Sequence, residues 1–97
     1  MGLKNTSPKA LEGTTIALQL IAFLAADDEG MERFTSLSGM SLDDMKEGAE
    51  NPVFLGFMLD YALQDEALIL AFAENQQISP QTLALVRRQL PGASDDF

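Results

Sequence analysis

The sequence predicts an all-α fold, a compact irregular or orthogonal bundle of five to six short helices. Three observations carry this. Apolar residues recur at spacings of three and four along most of the chain, and no stretch alternates with a period of two. Ser-Pro or Asn-Pro pairs stand at residues 7–8, 51–52 and 79–80. Each offers a side chain that can cap orphan amides, then a proline where no N–H is needed. Finally, residues 53–63 are apolar except for Gly56 and Asp60. With Gln64 these fall at i, i+4 and i+8, so a helix here has one thin polar stripe and needs neighbours on most other sides.

A chain of 97 residues is long enough to close a single core. The expected organisation is one domain over residues 7–92, a flexible arm at 1–6 and a polar tail at 93–97. The first helix is expected over residues 8–26, with Glu12, Thr15, Gln19, Ala22 and Ala26 on its mild face. Leu18, Ile21, Leu24 and Ala25 lie opposite, and Ile16, Leu20 and Phe23 widen the apolar side. Asp27-Asp28-Glu29-Gly30 breaks this helix. A short one follows, with Met31, Phe34 and Leu37 inward, Glu32 and Arg33 outward, and Gly39 as a left-handed cap.

Ser41 caps a third short helix, and Met40 before it packs on Met45 as a hydrophobic staple. Leu42, Met45 and Ala49 form its inner face, while Asp43, Asp44, Lys46, Glu47 and Glu50 form its outer one. The central helix starts at Asn51-Pro52. Residues 52–77 read as one kinked helix or as two, and the polar triplet Gln64-Asp65-Glu66 favours two, with Asp65 as the second cap. Leu68, Ile69, Leu70 and Phe72 are its expected inner residues; Ala67, Ala71 and Asn75 are the exposed line. The last helix starts at Ser79-Pro80 with an Ile78–Leu83 staple, turns Leu83, Val86 and Leu90 inward and Arg87 and Arg88 outward, and stops at Pro91-Gly92.

Composition excludes several chemistries. The chain has no cysteine and no histidine, which removes disulfides, thiolate nucleophiles, zinc fingers and imidazole acid–base catalysis. Fifteen acidic residues against six basic ones give a net charge of −9, a field that repels nucleic-acid phosphates and anionic membranes. The apolar run at 16–26 is too short to span a bilayer, and the run at 53–73 carries Asp60, Asp65 and Glu66. Glu12, Phe23 and Leu24 spoil a secretory leader, so secretion is not expected. The N-terminal Met1-Gly2 with Thr6 also fits the loose myristoylation pattern.

Three constellations invite a functional reading. Residues 31–50, helix–Gly39 turn–helix, have the outline of a helix-turn-helix, for which Arg87 and Arg88 would supply phosphate contacts. Its second helix, however, carries Asp43, Asp44, Glu47 and Glu50 against Lys46, the wrong charge for counterion release. Two short helices at a glycine corner are the plainer reading. Asp27, Asp28, Glu29 and Glu32 offer carboxylates to a divalent cation, but their spacing fails the EF-hand pattern and suits helix capping better. Asp60 is the third. Among apolar neighbours it is a candidate acid or base. The preferred reading has it reach solvent or cap another helix end, because no histidine, cysteine or obvious nucleophile accompanies it.

Arg33-Phe34, Leu37-Ser38-Gly39-Met40, Asn51-Pro52 with Phe54-Leu55, Leu59-Asp60-Tyr61 and Asp65-Glu66 with Ala71-Phe72 follow the apolar run at 17–25. This succession, ending at Leu90-Pro91-Gly92, resembles a bacterial domain-of-unknown-function family of short helical proteins over residues 10–92. The resemblance implies a bacterial, cytoplasmic, stand-alone protein, and it transfers no activity or site residue.

The sequence reading is therefore a non-enzymatic adaptor, regulator or subunit acting through protein contacts, self-association as a homodimer included. No catalytic residue, cofactor or metal ligand is assigned, and neither nucleic acid nor membrane is an expected partner. The candidate contact residues are Asp43, Asp44 and Glu47 on the acidic face and Ala67 and Ala71 on the small-residue line, with Asp60 as the residue to test. The alternatives are a nucleic-acid binder using 31–50 and a carboxylate metal-binding protein.

Overall fold

Among the described residues, three helices begin on a side chain that accepts an otherwise orphan backbone N–H. In the computed structural model, which describes residues 9–92, Ser41 Oγ accepts from Asp44 N–H at 3.1 Å while Asp44 Oδ2 accepts from Ser41 N–H at 2.9 Å. This is a reciprocal capping box. Asn51 Oδ1 accepts from Val53 N–H at 3.0 Å, and Asp65 Oδ1 from Leu68 N–H at 3.2 Å. The resulting elements among the described residues are α1 (Lys9–Ala25), α2 (Asp28–Ser38), α3 (Leu42–Gly48), α4 (Pro52–Leu63), α5 (Glu66–Gln76) and α6 (Pro80–Arg87).

The fold is all-α, as the periodicity requires. Residues 52–77 are two helices, separated at Gln64-Asp65 where the Asp65 cap restarts the backbone ladder. Gly39 closes α2 at φ +77°, donating its N–H to Thr35 O at 2.8 Å. Gln77 performs the same left-handed turn after α5 at φ +59°, and Ile78 N–H then reaches back to Ala73 O at 3.0 Å. Ser79 stands at the start of α6, but its hydroxyl pairs with Thr82 Oγ1 instead of a backbone amide. The Ser7-Pro8 start, the arm at 1–6 and the tail at 93–97 lie outside the described residues.

α1, α4 and α6 pack against one another, and α5 covers α4 and α6 while α2 lies along α1. Ile16, Ala17, Leu20, Ile21 and Leu24 of α1 meet Leu55, Met58, Leu59 and Ala62 of α4 and Leu83 and Val86 of α6 in one buried cluster. Ile69, Phe72 and Ala73 enter it from α5, and Phe34 and Met45 anchor the two short helices. Burying side chains of this size stabilises the fold by about 1.5–3 kcal/mol each before the ordering entropy is subtracted.

Several expected inward positions turn out exposed. Leu18 and Ala25 lie on the outer side of α1, because the helix needs only the face carrying residues 16, 17, 20, 21 and 24 to reach its neighbours. Leu70 is half exposed, one residue (about 100° of helix rotation) round from Ile69. Leu42 sits at the first position of a seven-residue helix and stays partly open. Leu37 is the largest departure. It is 68% exposed, since the last turn of α2 projects past the core. Arg87, expected outward, is buried.

Candidate functional site

The polar stripe of α4 is a seat for an arginine. Arg87 Nε donates to Asp60 Oδ1 at 2.6 Å and Nη2 to Oδ2 at 3.0 Å, a bidentate pair joining α6 to α4. Nη1 donates to the carbonyls of Leu90 at 3.0 Å and Pro91 at 3.2 Å, so the same guanidinium satisfies the chain just beyond its own helix. Gly56 makes the approach feasible. A methyl there would lie 2.7 Å from Pro91 O and 2.9 Å from Arg87 Nη1. A second tether holds the same region to α1, where Gly13 N–H donates to Gln89 Oε1 at 2.8 Å.

Asp60 therefore acts as the anchor of a buried cation on a neighbouring helix. Its side chain is 44% exposed against 6% for that of Arg87, so one edge of the carboxylate faces the groove described next. The inward position of Arg87 was legible. Leu83, Arg87 and Leu90 share one face at i, i+4 and i+7, opposite a helix whose stripe holds a glycine and a carboxylate four residues apart. Charge alone argued otherwise, because an arginine is seldom buried unless it is paired.

Two hollows open on either side of a shared rib formed by Arg33, Tyr61 and Asp65. The larger, about 790 Å³, lies between the end of α2, the α2–α3 corner and α4; Leu37, Met40, Phe57 and Tyr61 give it apolar walls. The smaller, about 220 Å³, is framed by Phe23 and Leu24 of α1, the start of α2, and Leu68 and Ala71 of α5. Tyr61 is fixed edge-to-face on Phe34, ring centroids 5.0 Å apart. Arg33 Nε stands 3.4 Å from Asp65 Oδ2. With Arg33 largely in solvent, that pair contributes about 0–1 kcal/mol. Burial pushes the Tyr61 phenol above its ordinary value, the negative charge of Asp65 adds to the rise, and Arg33 opposes it.

The predicted contact residues fall on two separate surfaces. Ala67 and Ala71 are exposed and line the smaller hollow. Asp43, Asp44 and Glu47 are exposed on α3 and line neither hollow, and the Asp44 carboxylate is engaged in the capping box. Sequence reasoning missed the larger hollow because it placed Leu37 in the core. Among the described residues no three acidic side chains converge as a metal site requires. Chemically, the rib and its hollows can bury apolar side chains, stack against an aromatic ring and hydrogen-bond through a phenol, a guanidinium and a carboxylate.

Two outcomes follow from this geometry. Gly56→Ala should destabilise the fold by about 1–3 kcal/mol in denaturant unfolding, even though alanine is the better helix former, because the methyl overpacks against Pro91 O and Arg87. For Tyr61, the folded pKa lies above the unfolded value near 10, so its stabilising contribution is complete below pH 10 and is lost as pH rises through the folded value. Ultraviolet titration of this single tyrosine should show its midpoint above that of the denatured chain, and Tyr61→Phe should flatten the alkaline fall in melting temperature.

No curated protein matches the chain significantly, and neither does any solved structure. A family model described as a protein of unknown function (DUF3572) matches residues 11–93, nearly all of the described helical body. The chain belongs to the DUF3572 family.

Proposed function

We propose that this is a non-enzymatic, cytoplasmic interaction protein that receives a segment of a protein partner in the paired hollows flanking Tyr61. The observation that carries the reading is the apolar wall of the larger hollow. Leu37 and Phe57 are exposed there beside Met40 and Tyr61, on helices whose other faces are anchored in the core. Concave, partly apolar surfaces with a few convergent polar groups are the usual form of a binding site. Rings such as Phe57 and Tyr61 supply contact area at low entropic cost.

The other surfaces offer less. Arg87, one of the two cations assigned to a phosphate-binding role, is engaged with Asp60 and with its own carbonyls, and α3 presents Asp43 and Glu47 to solvent. No described helix is long and apolar enough to cross a membrane.

Site-specific photocrosslinking in the cells that make the protein tests the reading. A benzophenone side chain at position 57 should yield a discrete heavier adduct containing a protein. The same group at Leu85, which is 60% exposed on α6 and away from both hollows, should not. Equal adducts from both positions, or none from position 57, would count against it.

A further inference from the structure

The charges around the hollows are one-sided. Asp27, Glu29, Asp60, Asp65 and Glu66 stand among the lining residues, against the single cation Arg33. Asp60 is matched by Arg87 beneath it, and Asp65 faces Arg33. Asp27, Glu29 and Glu66 form no ion pair among the described residues, and all three are exposed. A partly apolar groove is thus bordered by carboxylates whose charge is not neutralised locally. We infer that the paired hollows receive a basic amphipathic segment of another protein, its apolar side chains entering the hollows and its lysines or arginines meeting Asp27, Glu29 and Glu66. This rests on the interaction reading above and names the partner's chemistry.

A second copy of the chain is a poor occupant. Each copy carries a net charge of −9, and the other exposed cations of the described side chains are Lys46 on α3 and Arg88 after α6. Bringing two such surfaces together adds repulsion at an already acidic rim. A cationic segment instead gains on encounter from the field of the whole molecule, and its arginines or lysines can also approach the Phe57 and Tyr61 rings that line the larger hollow. Such contacts at an open rim weaken as salt shortens the screening length.

Display selection tests this with a random library of fifteen-residue peptides, panned on the full chain and in parallel on Leu37→Ser/Phe57→Ser. That variant removes apolar wall without changing charge, and its fold is checked by circular dichroism and melting. Peptides retained by the parent and lost on the variant should carry at least two apolar residues and a clear excess of Lys and Arg. Their affinity should fall at least about threefold between 0.05 and 0.5 M NaCl, and Glu29→Lys/Glu66→Lys should reverse the preference for basic sequences. Groove-dependent peptides with no basic excess would overturn the charge inference and leave the interaction reading standing. Basic peptides that bind the serine variant equally well, or a selection with no groove-dependent peptide at all, would overturn both. A dimer seen by light scattering and dispersed by Leu37→Ser/Phe57→Ser would overturn the inference in favour of self-association.

Discussion

The Asp60–Arg87 pair determines how the C-terminal third of this small protein is held. A buried guanidinium is tolerable only if its donors are used, and here four N–H···O contacts run from Arg87 to Asp60, Leu90 and Pro91. One side chain thus joins α6 to α4 and caps the chain that follows α6. Such a pair gives orientation more than net stability, because desolvating the guanidinium offsets much of the attraction. Two glycines let the neighbouring helices approach this end of α6. Gly56 clears space for Pro91 and the guanidinium, and Gly13 clears space for Gln89, so α1 and α4 both close on the same end of α6.

That closure frees other surfaces. With α1, α4 and α6 packed together and α5 completing the cluster, the apolar face of α4 is fully used at Leu55, Met58, Leu59 and Ala62. Phe57 and Tyr61 lie on its other flank. They meet the end of α2, where Leu37 and Met40 face a hollow that the core does not fill. Asp60 sits at the boundary, holding Arg87 with its carboxylate while contributing its outer edge to the groove wall. The fold and the candidate site therefore share a residue, and a substitution at Asp60 perturbs both.

Helix starts were the most legible feature of the sequence. Ser41, Asn51 and Asp65 announce themselves by side-chain chemistry that acts within three residues, so no tertiary information is needed to place them. Gly39 is equally local. Buried faces were legible where a helix is flanked on two sides, as with Leu20, Leu24, Leu59 and Leu83. They were misread at element ends, where periodicity continues but the neighbouring helix does not. Leu37 in the last turn of α2 and Leu42 at the first position of α3 are of this kind, whereas Leu70 is a rotation of about 100° away from the buried Ile69 in the middle of α5. The groove inherits that error, since its walls are apolar residues that a periodic reading assigns to the core. Arg87 departs for a different reason: its charge argues for solvent, its position between Leu83 and Leu90 faces inward, and only the glycine–aspartate spacing on α4 signals a receiving surface.

The most direct measurement is a double-mutant cycle on Asp60→Ala and Arg87→Met, read by chemical denaturation. Methionine keeps much of the buried stem, and the loss of donors to Leu90 and Pro91 is common to the single and double variants, so the cycle isolates the term between the two helices. Because Asp60 is partly solvated, the expected coupling is about 1–2 kcal/mol, below the 3–5 kcal/mol typical when a fully buried pair is broken. Effects that add to within about 0.3–0.5 kcal/mol would contradict the interhelical clamp and leave Asp60 an ordinary surface carboxylate.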